Sequence, residues 1–159
     1  MWDGNVVPAA PTMPFDPKAT LLAADMPVTA QRMAVLRAVH HAPHATADEI
    51  ATAAANDIGS ISRQSVYDTL SALVERGVLR KIQPVGSVAR YEDRVGDNHH
   101  HVVCRQCGAL ADVECAVGYR PCLSASETHG FVIDEADVSY WGVCPACSSN
   151  NHIHHKKGK

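Results

Sequence analysis

The sequence has no excess of positive charge: 14 Lys and Arg stand against 17 Asp and Glu, a formal net charge of −3. That excludes a chain that grips nucleic acid through a general blanket of cations, so any contact with DNA has to come from a local pattern of side chains. No apolar run approaches the ~20 residues that cross a bilayer, which excludes a membrane-spanning helix. The first 25 residues lack the charged segment and apolar segment of a secretory leader and are instead rich in Pro and Ala. The expectation is a cytoplasmic chain whose six cysteines are reduced thiols. No internal repeat is present either. The 159 residues, 46% hydrophobic, make one ordinary domain or two small ones with modest cores.

What is present falls into two parts. Residues 1–18 combine Pro8, Pro11, Pro14 and Pro17 with small residues and little periodicity, and read as a flexible arm. From Thr29 the apolar positions Met33, Leu36 and Val39 have helical spacing that stops at His41-Ala-Pro43. Thr46-Ala-Asp-Glu49 is a capping box that opens a second helix through about Ala55. After the break at Ile58-Gly59-Ser60, Ser62 opens a third helix with the stripe Val66, Leu70, Leu73 and Val74. Gly77 stops it. Two β-rich segments, 78–83 and 88–92, then flank Pro84-Val85-Gly86-Ser87, a hairpin signal.

Three helices followed by a hairpin is the order of a winged helix-turn-helix, in which the third helix can enter a major groove. Three-helix units also serve as protein-binding modules. Within a DNA reading, the residues off the apolar stripe at the start of the third helix are Arg63, Gln64, Ser65 and Tyr67. Arg63 or Gln64 can contact a base edge, while Ser65 and Tyr67 suit phosphate or a thymine methyl.

Residues 94–98 are polar, contain Gly96 and have no periodicity, so they read as a hinge between an N-terminal domain, 19–93, and a second one, 99–147. The second part is expected to hold short strands at 100–104 and 109–113, a helix near 121–129 and a longer strand over 131–141. The His- and Lys-rich tail over 148–159 is expected to be disordered.

Cys104-Arg-Gln-Cys107-Gly108 and Cys144-Pro-Ala-Cys147 are two C-x2-C pairs on either side of this second part. Two such pairs are the composition of a tetrahedral all-thiolate zinc site, and Gly108 offers the backbone freedom that such a knuckle uses. The competing readings are four unrelated cysteines or a dithiol redox pair, which needs a βαβ context that is not visible. Cys115 and Cys122 are left over as small apolar side chains or reactive thiols.

Asn98-His99-His100-His101 runs directly into the strand leading to Cys104. In extended backbone His99 and His101 share one face and His100 points to the other. Two imidazoles on one face are half of a transition-metal site; a solvated turn is the plain alternative. With Asp112, Glu92 and His44 the set mixes imidazole nitrogen and carboxylate oxygen, which suits Fe2+, Mn2+ or Zn2+. A metallohydrolase is a second reading of such a cluster, but five protein ligands leave little room for a water. A zinc-ribbon interaction module leaves the three helices and hairpin unexplained. The remaining histidines, His40, His41, His152, His154 and His155, read as surface residues.

These elements together resemble the ferric uptake regulator family over about 19–147: His44-Ala-Thr-Ala-Asp-Glu-Ile50, Ser65-Val-Tyr-Asp-Thr-Leu70, Arg90-Tyr-Glu92, the segment from His99 through Cys107-Gly108, and Tyr140-Trp-Gly-Val-Cys-Pro-Ala-Cys147. Within it the chain is most similar to peroxide-responsive repressors. The resemblance implies an α+β chain, with a winged-helix domain followed by a small α/β dimerisation domain holding a four-cysteine zinc site. It also implies a homodimer that binds a palindromic operator when loaded with metal, with no small-molecule substrate and no enzymatic activity. Structural Zn2+ falls to Cys104, Cys107, Cys144 and Cys147. Regulatory Fe2+ or Mn2+, for which Zn2+ can substitute, falls to His44, Glu92, His99, His101 and Asp112. A zinc-uptake or purely iron-responsive repressor is the alternative inside the family. Two departures stand out. A further site of some members uses Asp where this chain has His100 and His where it has Ala136. Peroxide sensing is associated with Asp at the position of Glu92, and Cys115 or Cys122 offers a thiol route instead.

Overall fold

The computed structural model describes residues 14–117, 121–134 and 136–154. Most of the expected arm lies outside them, but its end does not. A first helix, α1 (Pro17–Ala23), begins where the arm was expected to continue, with Asp16 as its cap accepting from the Lys18 N–H at 2.9 Å. Pro17 sits in the first turn, where its missing N–H costs nothing, so Asp16-Pro17 was a helix start rather than a disordered run.

The three expected helices follow as α2 (Ala30–His41), α3 (Ala47–Ile58) and α4 (Arg63–Glu75). The capping box of α3 forms as expected: the Glu49 N–H donates to Thr46 Oγ1 at 3.3 Å and the Thr46 N–H to the Glu49 carboxylate at 2.7 Å. The helix runs to Ile58, three residues beyond expectation, because Gly59 takes up a φ of +89° only there. Val66, Leu70 and Leu73 are fully buried, meeting Val35, Leu36 and Val39 of α2 and Ile50 of α3, while Val74 is only half-buried. Leu21 of α1 and Leu79 complete this core.

The hairpin is β2 (Arg80–Ile82) and β3 (Arg90–Glu92), shorter than expected, and it gains a third strand, β1 (Ala45–Thr46), in the order β1-β3-β2. A second sheet combines β4 (His99–Cys104), β5 (Leu110–Glu114) and β6 (Ser139–Gly142) in the order β5-β4-β6, with β4 antiparallel to β5 and parallel to β6.

Three expectations for the second part fail. The segment 121–129 is not helical: its apolar residues are too few to form a stripe, and Leu123 is 59% exposed. The strand over 131–141 is reduced to β6, because only 139–142 pair along β4, and Phe131 and Val132 stand exposed. The tail is not uniformly irregular: α5 (Pro145–His154) covers its first part. No helix among the described residues is long and apolar enough to cross a membrane.

The second sheet buries little hydrocarbon. Of its residues, Val103 and Cys104 are the buried apolar ones, and the other buried side chains there are His99, His100 and His101. Polar groups occupy the place of a core, which requires that they be paired with one another or with cations.

Candidate metal centres and nucleic-acid interface

Strand register brings the candidate ligands together in pairs. In the antiparallel β1–β3 ladder Ala45 faces Tyr91, so the preceding His44 stands across from Glu92, and its N–H bonds the Tyr91 carbonyl at 2.9 Å. In the β4–β5 ladder His101 faces Asp112 directly. The two pairs then meet. His44 Nε2 lies 3.1 Å from Glu92 Oε2 and 2.8 Å from Asp112 Oδ1. His101 Nε2 lies 3.3 Å from Glu92 Oε2 and 3.6 Å from Asp112 Oδ1. His99 Nε2 contacts the other Glu92 oxygen at 3.0 Å. Donor atoms of His44, Glu92, His101 and Asp112 all lie within 4.8 Å of one another and His99 contacts Glu92, so the structure gathers the other four candidate ligands around Glu92.

The cluster is drier than its composition suggests: Glu92 and His101 are each 1% exposed. Burial alone pushes the Glu92 carboxyl up, but hydrogen bonds from His101 and His44 and the charges of His101 and His99 outweigh it and hold the group at about 2. The hydrogen bond to Glu92 raises His44 against the opposing effect of burial, with Asp112 adding to the rise. A cation is therefore stabilised at this point, whether a proton on imidazole or a metal ion. His44 itself has a φ of +67°, a left-handed backbone that costs a residue with a Cβ. That backbone lies at the residue whose side chain turns toward Asp112.

Sequence reasoning missed the groups that orient these ligands. His99 Nδ1 bonds Asp97 Oδ1 at 2.7 Å, which leaves Nε2 to face the cluster. Arg94 contacts Asp97, Asp112 Oδ2 at 3.3 Å and Glu114 at 2.8 Å, tying the 93–98 connection to β5. Arg90 donates to the His44 carbonyl at 2.9 Å and to the Gly108 carbonyl at 3.3 Å, joining the first sheet to the cysteine knuckle. The only sequence signal was the density of charge over 92–97. His40, read as a surface residue, stacks on Phe15 at 3.9 Å and bonds Asp93 at 2.6 Å.

Cys104, Cys107, Cys144 and Cys147 also converge, with sulfurs within 4.8 Å of one another and no disulfide. The parallel register of β4 on β6 sets Cys104 beside Gly142, two residues before Cys144, whose N–H donates to Cys104 Sγ at 3.3 Å. Gly108 turns the first knuckle with a φ of +72° and returns its N–H to the Cys104 carbonyl at 2.9 Å. The N–H groups of Cys144 and Cys107 bring Cys104 down to about 6, whereas Cys147, hydrogen-bonded to its neighbouring thiols, is pushed up. Four thiols so close cannot all ionise without a cation among them. Four cysteine sulfurs this close could together hold a zinc ion.

The first turn of α4 presents Arg63, Gln64 and Tyr67 to solvent, with Ser65 half-buried. Ser65 is engaged in the cap, its N–H donating to Ser62 Oγ at 3.0 Å, and Gln64 donates to Asp68 at 2.8 Å. Arg63 lies 3.2 Å from Asp48 of α3, in a largely exposed pair that is easily exchanged.

The model of the ferric uptake regulator family matches residues 23–141. The chain belongs to the ferric uptake regulator family. It is 59% identical over 128 residues to the transcriptional regulator FurA of Mycobacterium tuberculosis, covering 80% of this chain and 87% of that one. It is 30% identical over 135 residues to the peroxide-responsive repressor PerR of Staphylococcus aureus, covering 81% and 87%. Among solved structures it resembles the Campylobacter jejuni peroxide stress regulator, at 26% identity and a TM-score of 0.59, covering 82% of this chain and 95% of that one. The fold is thus the α+β fold of the family, and the protein is a transcriptional regulator of that family, not an enzyme. The hydrolase reading of the histidine cluster falls with that.

Proposed function

We propose that the protein is a homodimeric repressor whose grip on a palindromic operator is set by one divalent cation held between its two halves. The observation that carries this is the convergence on buried Glu92 of His44 from the first half and His99 and His101 from the second. His44, Glu92, His99, His101 and Asp112 would hold Fe2+ or Mn2+ with nitrogen and oxygen donors, and the same set accepts Zn2+. Cys104, Cys107, Cys144 and Cys147 would hold Zn2+ permanently and tie the ends of residues 99–147.

In this reading residues 19–93 are the winged-helix DNA-binding domain, 94–98 the hinge and 99–147 the dimerisation domain. The first turn of α4 reads bases through Arg63 or Gln64 and touches the backbone through Ser65 and Tyr67, and the β2–β3 hairpin is the wing. Apolar side chains support dimerisation: Phe131 is 76%, Val132 96% and Tyr140 48% exposed in the single chain, a surface suited to a second copy. With donors drawn from both halves, an ion there fixes the separation of the two reading helices, and its loss frees the hinge. Operator binding measured without oxygen, with and without Fe2+ or Mn2+, tests the proposal. Equal affinity under both conditions refutes it.

A further inference from the structure

The middle histidine of the triplet belongs to neither cluster. Alternation along β4 turns His100 away from His99 and His101, and it is 4% exposed. Its cross-strand partner on β5 is Val113, and Cys115 lies two residues further on, just past the end of β5. Cys122 reaches the same point from the irregular segment after residue 120, with Sγ 3.2 Å from His100 Nε2. Ligating atoms of His100, Cys115 and Cys122 all lie within 4.8 Å of one another, and both cysteines are half-buried thiols.

We propose that His100, Cys115 and Cys122 form a third metal site, a Cys2His set that takes Zn2+. Two thiolates and one imidazole match zinc better than Fe2+ or Mn2+, which suit mixed nitrogen and oxygen sets without sulfur such as the one around Glu92. Three protein donors leave a fourth position for water, so this ion exchanges more readily than one enclosed by four cysteines. The site also accounts for the segment after residue 120, which has neither helix nor apolar stripe to anchor it and yet brings Cys122 against β4. It would place zinc on one face of β4 and the His99 and His101 ligands on the other.

The test uses the full chain, purified without a tag and without oxygen. Metal-depleted protein receives Zn2+, is alkylated with iodoacetamide under native conditions, and is mapped by peptide. Zn2+ is expected to block alkylation of Cys115 and Cys122 in the unaltered protein. His100→Ala, which removes no thiol, is expected to abolish that protection while Cys104 and Cys147 stay protected. By metal analysis, a Cys115→Ser, Cys122→Ser double variant should lose about one zinc per chain and keep the four-cysteine zinc. Circular dichroism reports whether each variant is folded, and the protection in unaltered protein needs no variant. Alkylation at the same rate with and without Zn2+ overturns the proposal. So does recovery of a Cys115–Cys122 disulfide from the protein as purified.

Discussion

If one cation joins the two halves, its ligands should differ in what they contribute to the switch, and His44 should matter most. Of the two donors from the first half, Glu92 directly precedes the 93–98 connection, so a bond there fixes a point beside the pivot. His44 lies on the other side of the sheet ladder and supplies the contact away from that pivot. Asp112 is a third donor from the second half, where His99 and His101 remain without it. Coupling between an effector and DNA is typically about 1–3 kcal/mol, or roughly 5–150-fold in affinity. His44→Ala should therefore remove most of that factor even at saturating Fe2+ or Mn2+. Asp112→Asn should weaken metal binding yet keep most of the coupling once metal is saturating. The assay is anaerobic titration of metal with and without operator DNA, followed by titration of DNA with and without metal, since the two factors must agree. Equal coupling in His44→Ala and unaltered protein, with the dimer and the cysteine zinc intact, refutes the interdomain tie.

Cys104→Ser or Cys144→Ser should each release about one zinc per chain and cost the dimer, because a broken tetrahedral site no longer joins 104–107 to 144–147; metal analysis and light scattering check both. Arg63→Ala should weaken specific operator binding by about 1–3 kcal/mol if the side chain reads a base, with thermal stability unchanged because its partner Asp48 is exposed; unchanged affinity moves the interface elsewhere. Thr46→Ala removes the cap of α3 and should cost about 1 kcal/mol in urea denaturation at fixed metal concentration. The N–H of Thr46 and then its hydroxyl hold the Glu49 carboxyl below its ordinary range, and Thr46→Ala removes the hydroxyl's share. That contribution is therefore present above the usual carboxylate pKa and lost as pH falls through the lowered one, so the difference between Thr46→Ala and the unaltered protein should shrink in acid.

Local chemistry was legible wherever a short segment carries its own instruction. The stripe of α4, the capping box at Thr46, the break at Gly59 and the knuckle at Gly108 were read from neighbouring residues, and each formed. So were the pairing of two C-x2-C motifs and the turn of His100 to the opposite face of its strand, because zinc-ligand spacing and strand alternation are properties of the chain itself. Reading failed where a segment's structure depends on a partner. The stretch 131–141 has strand-like residues, but only 139–142 find an edge of β4, and 121–129 has no apolar face with which to dock as a helix. Which residues meet was likewise a tertiary decision. His44 reaches Glu92 and Asp112 only because β1 pairs with β3 and side chains of β4 and β5 meet the end of that ladder. The orienting roles of Asp97, Arg94 and Arg90, and the meeting of His100 with Cys115 and Cys122, depend on distances across 2 to 46 positions of chain. A sequence states which donors exist and how they alternate; only the register of strands, set by the packing of the whole molecule, brings them within reach of one ion.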